Sequence, residues 1–175
     1  MKLGISLPLV DIQGDPAIVR DFAQAAEGLG YDHLGAPDHV LGVNVASRPD
    51  WGARNTSKDL FHDPFVLFGF LSACTKSIEF STQVMILPQR QTALVAKQAA
   101  SLDVLSGGRF RFGIGVGWNP VEYVGLNESF KDRGKRQKEA ASARQHDSDA
   151  EALRASGRSR TKWDRLQNIT PAQHS

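Results

Sequence analysis

An acid and an imidazole stand side by side at Asp38 and His39. Imidazole changes charge near neutral pH and a neighbouring carboxylate can fix its tautomer, so the pair has the composition of a proton shuttle. Further along, RFRFGIGVGWN from Arg109 to Asn119 is an alternating strand that enters a glycine-rich turn. Gly113, Gly115 and Gly117 recur at the strand period of two, which leaves one side of the strand end bare. The glycines read either as a cradle whose backbone amides approach an anion closely or as relief of crowding in a plain βα turn. Asn119, Pro120 and Glu122 follow as N-cap, first-turn proline and an acid at the third position, so Glu122 is assigned to the helix start and not to chemistry. A dinucleotide fingerprint is excluded, because it needs G-x-G-x-x-G and here Trp118 and Asn119 follow the third glycine. Trp118 reads as a stacking surface for a ligand or as a roof over the site.

The elements that must position these residues are legible as alternating strands and helices. Lys2 to Leu7 has strand length. Asp15-Pro16 opens a helix whose Ile18, Val19, Phe22, Ala25, Ala26 and Leu29 share one face, ending at Gly30. His33 to Ala36 forms a second strand that delivers Asp38 and His39, and a polar loop continues to about Phe61. Asp63-Pro64 starts PFVLFGFLSAC, apolar nearly all round and therefore in need of cover on several sides; Phe65, Phe68 and Phe70 are assigned to that packing. Ile78 to Leu87 is a third strand, Thr92 to Leu105 a helix, and Phe110 to Val116 a fourth strand. This order predicts an α/β fold with parallel strands. Because the chemistry-bearing residues all follow strand C-termini, a βα barrel is favoured over a doubly wound sheet.

Composition narrows the function classes. The chain has 175 residues, 41% hydrophobic, which suits one core of moderate size. Residues 1 to 139 carry 15 basic and 15 acidic side chains, and residues 140 to 175 carry 6 and 4. That balance excludes a nucleic-acid surface, and RGKRQK from Arg133 to Lys138 reads as a solvated helix face. The single cysteine, Cys74, lies in an apolar pattern and reads as a small buried hydrophobe, consistent with a reducing cytoplasm. The opening MKLGISLPLV is too short for a signal peptide, and no apolar run has the length to cross a bilayer. His33, Asp38, His39, His62 and Asp63 lack compact metal-ligand spacing, so no metal is expected, and His62-Asp63 reads as a helix entrance.

Four segments in order resemble the N-terminal half of the luciferase-like monooxygenase superfamily, above all its deazaflavin-dependent oxidoreductases. They are KLGISLP, AEGLGYDHLGAPDHV, STQVMILPQRQTALVAKQAASLDVLSGGR, and FGIGVGWNPVEY followed by FKDRGKR; together they cover residues 1 to 139. The resemblance implies the first half of a (β/α)8 TIM-type barrel with a cofactor ring across its C-terminal mouth. It implies coenzyme F420, or alternatively FMN, and hydride transfer between that cofactor and a small organic substrate. The alternative activity is an FMNH2-dependent, alkanesulfonate monooxygenase-like reaction. Carried over residue by residue, Asp38 touches the cofactor and His39 lies near its reactive ring as the catalytic group. Val84 and Met85 form the bulge, with a cis peptide, behind the ring. Gly115, Gly117, Trp118 and Asn119 meet the cofactor's side chain or phosphate. In the sugar-phosphate dehydrogenase branch a glutamate follows the glycine loop at the place of Pro120, which sets this sequence apart from that chemistry.

A full barrel needs about 250 residues. From Ala140 onward the sequence has no valine or phenylalanine and offers no fifth strand, so residues 140 to 175 are expected to be an atypical tail, disordered or partly helical at Ser148 to Ala155. The chain is thus expected to be truncated, its native continuation replaced through a frameshift or premature stop. Unpaired edges then predict a homodimer or larger self-association, and a non-catalytic fragment is the alternative to an oxidoreductase.

Overall fold

The computed structural model describes residues 1–12 and 14–146. Strand β1 (Gly4–Ser6) leads through α1 (Leu9–Ile12) to α2 (Pro16–Gly28), β2 (His33–Ala36), α3 (Pro64–Cys74), β3 (Glu79–Thr82), β4 (Met85–Ile86), α4 (Thr92–Leu105), β5 (Phe110–Arg111), β6 (Ile114–Gly115), α5 (Pro120–Gly125) and α6 (Arg133–His146). Three helices begin as their sequences dictate. Asp15, Asp63 and Asn119 each accept a hydrogen bond from an N–H of the first turn, and proline follows each of them where a free N–H is not needed.

All paired strands are parallel, in the order β1-β2-β3-β5, with β4 and β6 paired beyond them. Each new strand joins the same edge, so right-handed crossovers place α2, α3 and α4 on one face, the arrangement of a barrel wall. Ile5, Leu34, Phe80 and Phe110 are register partners across the sheet and form one row on that face. The row packs with Phe68, Leu71, Val95 and Leu102 into a single core. The α3 helix is buried through Phe65, Leu67, Phe68 and Leu71, but Val66 and Phe70 are 71% and 41% exposed. Phe70 is thus not core: it lies one turn from Val66 on the outward stripe, which no described element covers.

Two predicted strands are each broken in two. The Thr82 hydroxyl donates to the Gly113 carbonyl at 2.7 Å and accepts from the Gly113 N–H at 2.8 Å, so a side chain replaces the backbone ladder there. Met85 N–H then resumes pairing with the Gly113 carbonyl. The cis peptide joins Gln83 to Val84, one bond earlier than the Val84-Met85 bond expected for it.

The N-terminal ends of the strands are tied by ionic groups. Glu27, at the end of α2, accepts the N–H groups of Lys76, Ser77 and Ile78 and the Ser77 hydroxyl. Burial raises the pKa of this carboxyl, but the backbone N–H donors outweigh it and hold the value at about 2. Arg109 donates to the carbonyls of Ser72, Thr75, Ile78 and Ser106. Burial lowers its pKa, and the field of Glu27 opposes that shift. On the sheet face opposite the helices, Glu79 pairs with Lys2 and Arg111.

Helix α6 crosses the 139/140 boundary drawn from the sequence, and Ala140 is buried against the core. Residues 147 to 175, with Ser148 to Ala155 among them, lie outside the described residues. No helix among the described residues is long and apolar enough to cross a membrane.

Candidate active site

His39 follows β2 and is largely enclosed. Its Nδ1 lies 2.8 Å from Oε1 of Glu122, which is 1% exposed in the first turn of α5. A carboxylate only accepts, so this contact calls for a proton on Nδ1; Asn55 Nδ2 also lies 3.1 Å from Nδ1, and Nε2 has no hydrogen-bond partner among the described residues. Asn55 Nδ2 donates to the same Oε1 at 2.9 Å and Gln89 Nε2 reaches Oε2 at 3.3 Å. Glu122 is thus fixed from three directions, and it fixes the imidazole in turn. Phe61 packs against the imidazole at 4.7 Å, and Trp118 approaches it edge-on at 6.2 Å.

Asp38 is held by partners from other elements. Its Oδ1 accepts from Arg90 Nη2 at 2.6 Å and its Oδ2 from the Ile86 N–H at 2.9 Å, and the residue is 3% exposed. Both oxygens accept from protein donors, and the contact to His39 Nδ1 comes from Glu122 and not from Asp38. Arg90 also pairs with Asp63 at 3.0 Å, which joins the end of β2, the start of α3 and the turn before α4. Burial alone would lower the Arg90 pKa, but the hydrogen bond and charge of Asp38, helped by Asp63, raise it.

The glycines make room for the bulge. A Cβ on Gly113 would lie 2.4 Å from the Thr82 carbonyl oxygen, and one on Gly115 would lie 2.4 Å from a Val84 methyl. One on Gly117, at φ +66°, would lie 2.8 Å from Ile86. Crowding relief is therefore what this geometry shows for the bare strand side. Tyr123, fully buried, donates to the Val116 carbonyl at 2.6 Å and pins the turn, and burial raises the pKa of its phenol. Of the residues expected to face the cofactor, Val84 is 38% and Trp118 47% exposed, while His39 is mostly enclosed. Met85 is fully buried in the core. Asn119 is buried as the N-cap of α5, with its Nδ2 unpartnered.

Sequence reasoning missed Glu122, Asn55, Gln89 and Arg90. The signal for Glu122 was its place on the inward stripe of α5 with Asn119, Tyr123 and Leu126, where an acid has no reason to stand without a partner. Asn55, Gln89 and Arg90 carry no local signal, since the carboxylates they bind lie 27 to 67 residues away. Among the described residues no group of three or more His, Cys, Asp or Glu is arranged to hold a metal ion.

The sequence profile of the luciferase-like monooxygenases matches residues 1–174. The chain belongs to this family. The match extends past the residues on which the resemblance was read. A protein of Mycobacterium tuberculosis without assigned function is 36% identical over 119 residues, which are 65% of this chain and 41% of that protein. This chain thus spans about two-fifths of that relative's length. The oxygenating constituent of 3,6-diketocamphane monooxygenase from Pseudomonas putida, solved with FMN, superposes with a TM-score of 0.63 at 19% identity, covering 80% of this chain and 37% of that one. The coenzyme F420-dependent tetrahydromethanopterin reductase of Methanopyrus kandleri gives 0.53 at 19% identity, covering 74% and 30%. These likenesses establish the luciferase-like TIM-barrel fold for the strands and helices described.

Proposed function

We propose that the protein transfers a hydride between the deazaflavin coenzyme F420 and a small organic substrate, with His39 taking up or delivering the accompanying proton. The observation that carries this reading is the His39–Glu122 pair at the strand C-termini, 2.8 Å apart. The residues present fit a flat cofactor. Val84 and Trp118 are exposed beside the bulge, and the buried Asn119 amide keeps an unused donor. Val84 would back the ring, and Trp118 and Asn119 would meet its side chain or phosphate. When bound, the deazaflavin supplies the carbon that gives or accepts the hydride. Glu122 acts as a positioning residue: it keeps the proton on Nδ1, leaves Nε2 as the base and stabilises the imidazolium formed on proton uptake. Phe61 and Trp118 limit the access of water to the ring.

A second reading, a reduced-FMN monooxygenase, is supported by the likeness to the FMN-bound Pseudomonas enzyme. Titration with each cofactor, followed by ring fluorescence, separates the two, and no saturable change with either would sink both. His39→Gln should lower turnover roughly 100-fold or more with cofactor affinity nearly intact. Loss of folding with unchanged activity per folded molecule would remove His39 from the reaction. The reading includes self-association, since β1 and β5 are each paired on one side only among the described residues. A dimer or larger species on a sizing column is expected, and a monomer would refute that part.

A further inference from the structure

The loop between β2 and α3 carries a second constellation next to His39. Trp51 and Trp118 stack at 5.7 Å with their planes 20° apart, and the Arg54 guanidinium lies over the Trp118 ring at 5.2 Å. Trp51 Nε1–H donates to the Arg54 carbonyl at 2.7 Å, so the two loop residues are fixed to each other. The loop is tied at its base as well: Val43 N–H donates to the Asn55 carbonyl, Ser57 N–H donates to the Val43 carbonyl, and the Val43 side chain is fully buried. Arg54 has no carboxylate partner among the described residues, in contrast to Arg90, which holds two.

The chain alternates between the two constellations. Asn55 points inward to Glu122 while Arg54 beside it is exposed, and Asn119 is buried while Trp118 beside it is half exposed. A cation on the face of an indole keeps the N–H donors in its own plane for hydrogen bonding, and a guanidinium matches the two oxygens of a carboxylate or phosphate. The Trp51–Trp118 pair adds aromatic surface beside the imidazole, Trp118 being 47% exposed and 6.2 Å from it.

We infer that Arg54, with the Trp51–Trp118 stack, is a recognition site for the anionic group of a ligand that also carries a planar ring. The anion has two possible sources, a carboxylate or similar group on the substrate and the phosphate of the cofactor. This inference deepens the functional reading above by naming the ligand chemistry beside the same imidazole, yet its test reads binding alone and needs no turnover.

Calorimetric titration of the full chain with 2-naphthoate and with its neutral amide, 2-naphthamide, tests the first source. FMN against riboflavin tests the second. Arg54→Gln and Arg54→Lys are the variants, with circular dichroism to confirm that each is folded; Arg54 is exposed and carries no buried contact. If the substrate brings the anion, naphthoate binds about ten-fold or more tightly than naphthamide, Arg54→Gln removes the preference and Arg54→Lys keeps part of it. If the cofactor brings it, the same pattern appears for FMN over riboflavin. The indole N–H resonance of Trp51 shifts on binding in either case. Equal affinity within both pairs, or preferences that survive Arg54→Gln, would overturn the proposal. Naphthoate binding that depends on Arg54 in a protein showing no hydride transfer would leave this site standing and remove the proposed activity, so the two can fail separately.

Discussion

Replacing Glu27 by Gln should destabilise the protein by an amount that depends on pH in a defined way. The carboxyl is held at about 2 against 4.5 for the free group, because three backbone N–H groups and a hydroxyl donate to it. At 1.36 kcal/mol per pKa unit that difference corresponds to at most about 3.4 kcal/mol. Partial solvent access and the acceptor that Gln retains reduce the expected loss to about 2 kcal/mol at pH 7. A depressed folded-state pKa stabilises fully above the unfolded value, and the contribution disappears as pH falls through the folded value. The gap between wild type and Glu27→Gln should therefore be constant from neutral pH down to about 4.5, then close towards pH 2. Urea midpoints for both proteins at pH 7, 5, 4 and 3 measure it. A gap that is absent at pH 7, or that is unchanged at pH 3, would show that these donors do not favour the ionised form.

Three further outcomes follow from the site. Arg90→Met leaves Asp38 buried and unpaired and should cost roughly 3–5 kcal/mol in urea unfolding; a loss below about 1 kcal/mol would mean that water or another donor takes its place. Gly115→Ala should cost about 1–3 kcal/mol by forcing its methyl against Val84, and Val84→Ala in the same chain should restore most of it. Two additive losses would refute the contact. Glu122→Gln should shift the His39 proton between the ring nitrogens and reduce turnover about 100-fold or more, with Glu122→Asp intermediate. Imidazole nitrogen shifts read the tautomer, and an unchanged tautomer would remove the positioning role.

Legibility in the sequence followed the range of the interaction. Helix starts at Asp15, Asp63 and Asn119 depend on contacts within three residues, and all three were readable. The parallel order was readable from the alternation of apolar runs with helices. The breaks at Thr82 and Gly113 were not, because an apolar run looks the same whether its ladder is closed by backbone or by a threonine hydroxyl. Asp38 and His39 appeared as a pair because they are neighbours in sequence. In space each carboxylate belongs elsewhere: Arg90 claims Asp38, and Glu122 takes the imidazole from 83 residues away. The family resemblance singled out Asp38 and His39, but it could not supply these partners.

Glu27, Arg109, and Glu79 with Lys2 and Arg111 fasten one end of the strands, while His39, Glu122, Arg54 and Trp118 gather at the other. Among the described residues, no hydrogen bond or ion pair of these groups joins one end to the other. Substitutions at the two ends should therefore add in free energy, as distant sites do. Such a chain can change its substrate by drifting at the mouth while compensating mutations accumulate at the base, so that stability and specificity evolve as separately adjustable traits.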